Sequence, residues 1–235
     1  FIRLASDPCV YKKQVGDKIL IVGVYVDDCI ALTNCKALSN AFFAAADGTF
    51  GIKNEGELSW VLGLKIERND DRIAVSQAAY IEQLLTRHNM DQCRPASVPL
   101  PSGMIITNDP DGKAADPEEY RSMIGGMMYL MTNTRPDLAY PLSTLALYMN
   151  SPKDSHMTAL NHLFRYVKGT SHHSLIFSND GNALGLTCYV DASFASCRDT
   201  RRSVSGYLYF LNGNLISWAS KRQTLVALST AESEY

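Results

Sequence analysis

The chain has 235 residues, 46% hydrophobic and 20% charged, with a formal net charge of −2. That length and apolar content can bury the core of one large domain or two small ones, which excludes a disordered tail. No apolar run reaches the roughly 20 residues that a bilayer span needs. Phe1-Ile2-Arg3-Leu4 shows neither an initiator methionine nor the layout of a secretion signal, so a soluble fragment with no membrane partner is expected. Six cysteines without a C-x-x-C pair point to reduced thiols in an intracellular protein rather than to a disulfide framework or a zinc site. The near-neutral charge speaks weakly against phosphate binding. Only residues 161–235 lean basic, with seven basic and five acidic side chains.

In chain order, residues 18–25 and 29–33 are predicted to form a hairpin with Asp27 and Asp28 at its tip. Residues 37–50 carry Leu38, Phe42, Phe43 and Ala46 at near-helical spacing, and Asp47-Gly48 is expected to end that helix. Residues 58–67 and 73–76 predict a second hairpin joined through Asn69-Asp70-Asp71, and residues 78–88 a helix with Ile81, Leu84 and Leu85 on one face. Prolines and glycines from Pro95 to Pro117 make residues 91–117 loop-like. Three helices then follow: residues 118–132, one starting near Pro136-Asp137, and residues 153–167 stopped by Lys168-Gly169-Thr170. Residues 184–191, 206–211 and 214–218 read as strands, the last two around an Asn212-Gly213 turn, and residues 226–235 begin a helix.

Tyr25-Val26-Asp27-Asp28, flanked by β-forming runs, carries the chemistry. Two adjacent carboxylates cost too much desolvation to lie in a core, so they belong at an exposed tip or against a cation. An arbitrary Asp-Asp pair is more often a solvated turn, yet such a tip is also a site for a hard divalent cation of the kind used in phosphoryl and nucleotidyl transfer. Around it stand Ala5-Ser6-Asp7-Pro8-Cys9-Val10-Tyr11, Trp60-Val61-Leu62-Gly63-Leu64-Lys65-Ile66, Val75-Ser76-Gln77-Ala78-Ala79-Tyr80-Ile81 and Val98-Pro99-Leu100. Further on come Tyr120-Arg121-Ser122-Met123-Ile124-Gly125, Thr134-Arg135-Pro136-Asp137, Arg165-Tyr166-Val167-Lys168-Gly169-Thr170 and Ser229-Thr230-Ala231-Glu232-Ser233-Glu234-Tyr235. Over nearly its whole length the chain resembles the polyprotein of copia-type (Pseudoviridae-like) retrotransposons, with Tyr25–Asp28 similar to the reverse transcriptase signature.

The resemblance implies an α/β fold of the α+β kind. Residues 1–100 would be a C-terminal palm and thumb part of reverse transcriptase, residues 101–180 a loop and helical connection, and residues 181–235 the N-terminal half of a ribonuclease H-like mixed sheet. Asp27 and Asp28 would then be two of three polymerase carboxylates that hold Mg²⁺ (or Mn²⁺), the third lying upstream of this chain. Tyr25 and Val26 would line the nucleotide and primer side, and Leu62 and Gly63 would match a primer-grip hairpin. Lys53 is a candidate proton donor to pyrophosphate, against the simpler reading of a solvated charge. Asp191 followed by Ala192-Ser193 resembles the first ribonuclease H strand, with Glu234 as its second carboxylate and Glu232 as the alternative.

Arg198, Arg201 and Arg202 would hold phosphates, or form a solvated charge cluster. His156, His162, His172 and His173 are not read as metal ligands, and Arg135-Pro136-Asp137 is read as a helix-start and packing element. The implied partners are an RNA template, a DNA primer, the RNA/DNA hybrid and, in the intact enzyme, a dNTP. The implied location is the cytoplasm, inside a virus-like particle on the way to DNA integration, or the nucleus. Two rival readings stand beside this one: a catalytically inactive remnant that at most binds nucleic acid, and an unrelated metal-dependent hydrolase built on the acidic tip.

Overall fold

Successive residues of a strand face opposite sides, and in the first sheet this separates buried Leu20 and Val22 from half-exposed Ile19 and Ile21. The structure is a computed structural model describing residues 1–179 and 185–235. The chain divides into two units, Phe1–Ser59 and Trp60–Tyr235. Among the described residues the fold is mixed α/β, with three antiparallel sheets and six α-helices.

In the first unit β1 (Ile2–Arg3), β2 (Val10–Val15), β3 (Lys18–Tyr25) and β4 (Asp28–Thr33) form one sheet in that order. α1 (Lys36–Phe50) packs on β3 and β4. The helix does not end at Asp47-Gly48. It runs on to Phe50, and Gly51 closes it at φ 66°, its N–H donating to the Asp47 carbonyl at 2.8 Å. A left-handed cap residue stops a helix, whereas an interior glycine such as Gly48 only weakens it by about 1 kcal/mol.

The second unit holds the larger core. β5 (Trp60–Val61), β6 (Leu64–Arg68), β7 (Arg72–Ser76) and β8 (Leu175–Ser178) form an antiparallel sheet in chain order. The single strand expected over residues 58–67 is two short strands, because Leu62 (φ 48°) and Gly63 (φ 76°) turn the chain back on itself. β8 has no counterpart in the sequence reading; its four residues carry too short a pattern to stand out, and pairing with β7 creates it.

Beside this sheet lie α2 (Ala78–Arg87), α3 (Pro117–Asn133), α4 (Ala139–Leu145) and α5 (Asp154–Gly169). Ile81, Leu84 and Leu85 are buried with Tyr120, Met127, Leu142, Leu163 and Phe164. Asp116 caps α3 by accepting from the Glu118 N–H at 2.8 Å, with Pro117 at the first helical position. The expected start near Pro136 is a 3₁₀ turn, Pro136–Leu138, that leads into α4.

β9 (Leu186–Ser193), β10 (Val204–Leu211) and β11 (Asn214–Arg222) form the third sheet, ordered β11-β10-β9. Asn212 (φ 50°) and Gly213 (φ 75°) make the tight turn between β10 and β11. Leu184, expected to open the first of these strands, lies outside the described residues. β9 continues two residues past Asp191, where the sequence reading ends it, because Ala192 and Ser193 pair with Ser205 and Val204. The final helix, α6 (Thr230–Glu234), starts four residues later than residue 226, since Ser229 caps it by accepting from the Glu232 N–H at 3.1 Å.

His88, just past α2, sets a pH dependence. Its ring packs edge-on against buried Phe164 with centroids 5.6 Å apart, and its Nε2 is buried without a hydrogen-bond partner. Burial, and then the Arg87 charge, push its pKa below the ordinary 6.5. The folded chain therefore favours the neutral ring, and the unfolded chain binds the extra proton. Stability from this group is full above about pH 6.5 and falls as the pH drops below that, until the depressed folded-state value is passed. His88→Leu is expected to flatten the urea midpoint against pH below 6.5 relative to the parent; parallel curves would show that the ring does not set this slope.

Candidate functional site

The acidic tip is a two-residue connection. Tyr25 pairs with Asp28, so Val26 and Asp27 alone span the gap between β3 and β4. Val26 sits at φ 52°, a region that a β-branched residue rarely adopts and that tight hairpin turns require. The ladder from Leu20–Thr33 to Tyr25–Asp28 holds it there. Tyr25, Val26, Asp27 and Asp28 are all exposed, so both carboxylates keep their hydration. Two adjacent hard oxygen donors suit Mg²⁺ or Mn²⁺. Among the described residues no group of three or more His, Cys, Asp or Glu side chains is placed to hold a metal ion, so the tip is a partial donor set. Lys53 pairs with Glu55 at 2.8 Å, and that hydrogen bond raises its pKa.

Leu62 and Gly63 are the turn residues between β5 and β6. The Tyr129 hydroxyl of α3 donates to the Leu62 carbonyl, and a Cβ on Gly63 would stand 3.1 Å from that hydroxyl. Tyr129 in turn packs edge-on against Tyr80, whose hydroxyl donates to the Gly126 carbonyl at 3.3 Å. The turn is therefore fastened to the helical layer through Tyr129. Nothing in the sequence around Tyr129 points to that role, because the contact joins positions 67 residues apart.

Asp191 lies on β9 opposite Gly206, which places no side chain beside the carboxylate. Glu234 comes to the same strand: its Oε1 accepts the Ala192 N–H at 3.2 Å, one residue from Asp191. Glu232 turns the other way and accepts the Leu228 N–H at 2.7 Å, capping the start of its own helix. Both Asp191 and Glu234 are exposed.

Arg198, Arg201 and Arg202 belong to the loop between β9 and β10. That loop is internally tied: Ala195 N–H donates to Ser203 Oγ at 3.1 Å, Cys197 N–H to the Arg202 carbonyl at 3.0 Å and Arg201 N–H to the Cys197 carbonyl at 2.7 Å. Arg198 and Arg201 are exposed and line a cleft, while half-buried Arg202 does not line it. Two of the histidines are engaged by backbone groups, while His172 and His173 are exposed and meet edge-on, with ring centroids 4.8 Å apart. His156 Nδ1 accepts the Lys153 N–H at 3.0 Å, its Nε2 faces the Thr107 carbonyl at 2.8 Å, and His162 Nε2 faces the Val98 carbonyl at 3.0 Å.

With this geometry in place, comparison with known proteins identifies the family. The family described as reverse transcriptase (RNA-dependent DNA polymerase) matches residues 1–102. Over 235 residues the chain is 36% identical to a retrovirus-related Pol polyprotein from transposon RE2 of Arabidopsis thaliana, covering 100% of this chain and 16% of that one. It is 35% identical over 245 residues to the Pol polyprotein from transposon TNT 1-94 of Nicotiana tabacum, covering 18% of it. An uncharacterized mitochondrial protein of Arabidopsis thaliana is 35% identical over 212 residues, 90% of this chain and 87% of that protein. No solved structure matches. The chain belongs to the reverse transcriptase family of copia-type transposon Pol polyproteins, and it spans about one sixth of the length of the Pol polyproteins it matches. Among the described residues no helix is long and apolar enough to cross a membrane.

Proposed function

We propose that in a longer Pol polyprotein residues 1–100 furnish part of the palm and thumb of an RNA-directed DNA polymerase, residues 101–180 a connection, and residues 181–235 the first half of a ribonuclease H-like domain. The observation that carries the reading is the exposed Asp27-Asp28 pair at a two-residue hairpin tip inside the reverse transcriptase match. Asp27 and Asp28 would hold Mg²⁺ or Mn²⁺, which supplies charge stabilisation for nucleotidyl transfer when bound. Tyr25 and Val26 flank the position of the dNTP and primer end, and the fastened Leu62-Gly63 turn gives the primer backbone close approach over an RNA template. Virus-like particles in the cytoplasm are the location that fits such an element.

For hydrolysis of the RNA strand of a hybrid, Asp191 and Glu234 are the carboxylates, and Arg198, Arg201 and Arg202 contact hybrid phosphates. The convergence of Glu234 on Ala192 and the engagement of Glu232 at its own helix start support Glu234 over Glu232. In the polyprotein, Glu234→Gln is expected to lower hybrid cleavage by roughly a hundredfold, about 2.7 kcal/mol of transition-state stabilisation, while Glu232→Gln stays within about tenfold of the parent. The opposite ranking would transfer the role to Glu232. Cleavage untouched by both would leave the sheet without a ribonuclease role.

A further inference from the structure

A cleft of about 1480 Å³ runs between α4 with its following turn, the loop after Leu100, and the β9–β10 loop with β11. Ser143 of α4 donates to Ser220 of β11 at 3.4 Å across it. Four cations line it, Arg198, Arg201, Lys221 and Arg222, and none of them forms an ion pair among the described residues. Concave walls of one charge sign concentrate anions. Two aromatic rings line the same cleft while remaining open to solvent, Tyr140 at 49% and Phe194 at 39% exposure.

The loop that carries Phe194, Arg198 and Arg201 is built rather than slack. Ala195 (φ 50°) and Arg201 (φ 56°) both occupy the left-handed region, and the hydrogen bonds through Ser203, Cys197 and Arg202 hold them in it. The volume exceeds the roughly 300–1,000 Å³ typical of a site for one small molecule, so a ligand longer than one nucleotide is favoured. Cations beside exposed rings match an unpaired nucleic-acid strand, whose phosphates meet the charges and whose bases stack on aromatic faces. A duplex keeps its bases stacked on one another and has no use for the rings.

We propose that this cleft binds a single strand of nucleic acid through Tyr140, Phe194 and the four cations. The proposal departs from the hydrolysis reading in one respect, giving Arg198 and Arg201 to an unpaired strand in place of hybrid phosphates, and it needs neither Asp191 nor Glu234. Its test is fluorescence anisotropy of the 235-residue chain with a labelled 12-nucleotide oligo(dT) and with a blunt dT·dA duplex of the same length. The single strand is expected to bind at least tenfold more tightly. Tyr140→Ala and Phe194→Ala are each expected to weaken it roughly tenfold, with Tyr140→Phe retaining binding. Arg198→Ala and Lys221→Ala are each expected to reduce the salt slope by about 0.7, whereas exposed Lys113→Ala is expected to leave it unchanged.

Cys197 lines the cleft with its Sγ 3.7 Å from Arg222, and reports occupancy without any substitution. Bound oligo(dT) is expected to slow its alkylation, read by mass spectrometry, and to leave exposed Cys9 unaffected. Equal or tighter duplex binding, or unprotected Cys197 at saturating oligo(dT), overturns the proposal. Loss of hybrid cleavage in Glu234→Gln with oligo(dT) binding intact separates this site from the ribonuclease reading.

Discussion

Arg135→Ala is expected to destabilise the second unit by about 3–5 kcal/mol, read as a lower urea midpoint. Among the described residues Arg135 is the largest fully buried side chain, 1% exposed. It donates through Nε and Nη2 to Asp137 at 3.0 and 2.7 Å, and through Nη1 and Nη2 to the Thr170 carbonyl and hydroxyl at 3.2 and 2.6 Å. Tyr166 lies under the guanidinium at 5.5 Å and donates its hydroxyl to Asp137 at 2.8 Å. Removing the arginine takes both guanidinium donors from a partly buried carboxylate that keeps the Tyr166 hydroxyl, and leaves the Thr170 carbonyl and hydroxyl at the end of α5 without theirs, which costs more than the pair itself contributes.

Arg135→Lys is expected to recover little of that loss, because an ammonium lacks the planar fork that reaches both partners. Burial pushes the Asp137 carboxyl up, but the Arg135 and Tyr166 bonds outweigh it and hold it below the ordinary carboxylate range. Its contribution to stability is therefore present above the unfolded-state carboxylate range and lost as the pH falls through the folded value. A variant with an unchanged midpoint would show that the network is replaceable by solvent.

Asp27→Asn in the longer polyprotein is expected to reduce primer extension on an RNA template by about 3 kcal/mol or more of transition-state stabilisation, roughly 150-fold. The substitution keeps the side chain's size and shape and removes one of two adjacent negative charges, so the hairpin forms while the charge available to a cation is halved. The 235-residue chain by itself is expected to extend no primer with Mg²⁺, since the tip offers two carboxylates and no larger ligand group stands among the described residues. Extension by the isolated chain, abolished in Asp27→Asn, would show that two carboxylates suffice; extension by the polyprotein that ignores Asp27→Asn would remove the tip from the reaction.

What was legible in the sequence was local. The acidic hairpin, the Asn212-Gly213 turn and the Ile81, Leu84, Leu85 face follow from period and turn chemistry within a few residues of each site. Boundaries failed where a single residue's backbone conformation or a neighbour in space decides them. Gly51 ends α1 through its conformation, Leu62 and Gly63 split an apparently continuous strand, and β8 exists only against β7. The same holds for the sites. Glu234 stood out because the motif around it is contiguous, whereas Tyr129, Tyr140, Phe194, Lys221 and Arg222 gain their meaning from segments far apart in the chain.

Arg135-Pro136-Asp137, read as a helix start and packing element, turns out to anchor the far end of α5 through Thr170. The sequence around Thr170 signals only a helix stop, since its partner lies 35 residues away.

Val26 has a consequence for any effort to make this chain more robust. Its left-handed backbone is a debt carried by the rest of the sheet, and glycine at that position would relax it by roughly 1 kcal/mol. The same change would loosen the turn and let the two neighbouring aspartates wander in angle. Selection for hardiness and selection for a fixed charge geometry therefore pull this single residue in opposite directions. Variants chosen only for heat resistance are expected to drift toward glycine there.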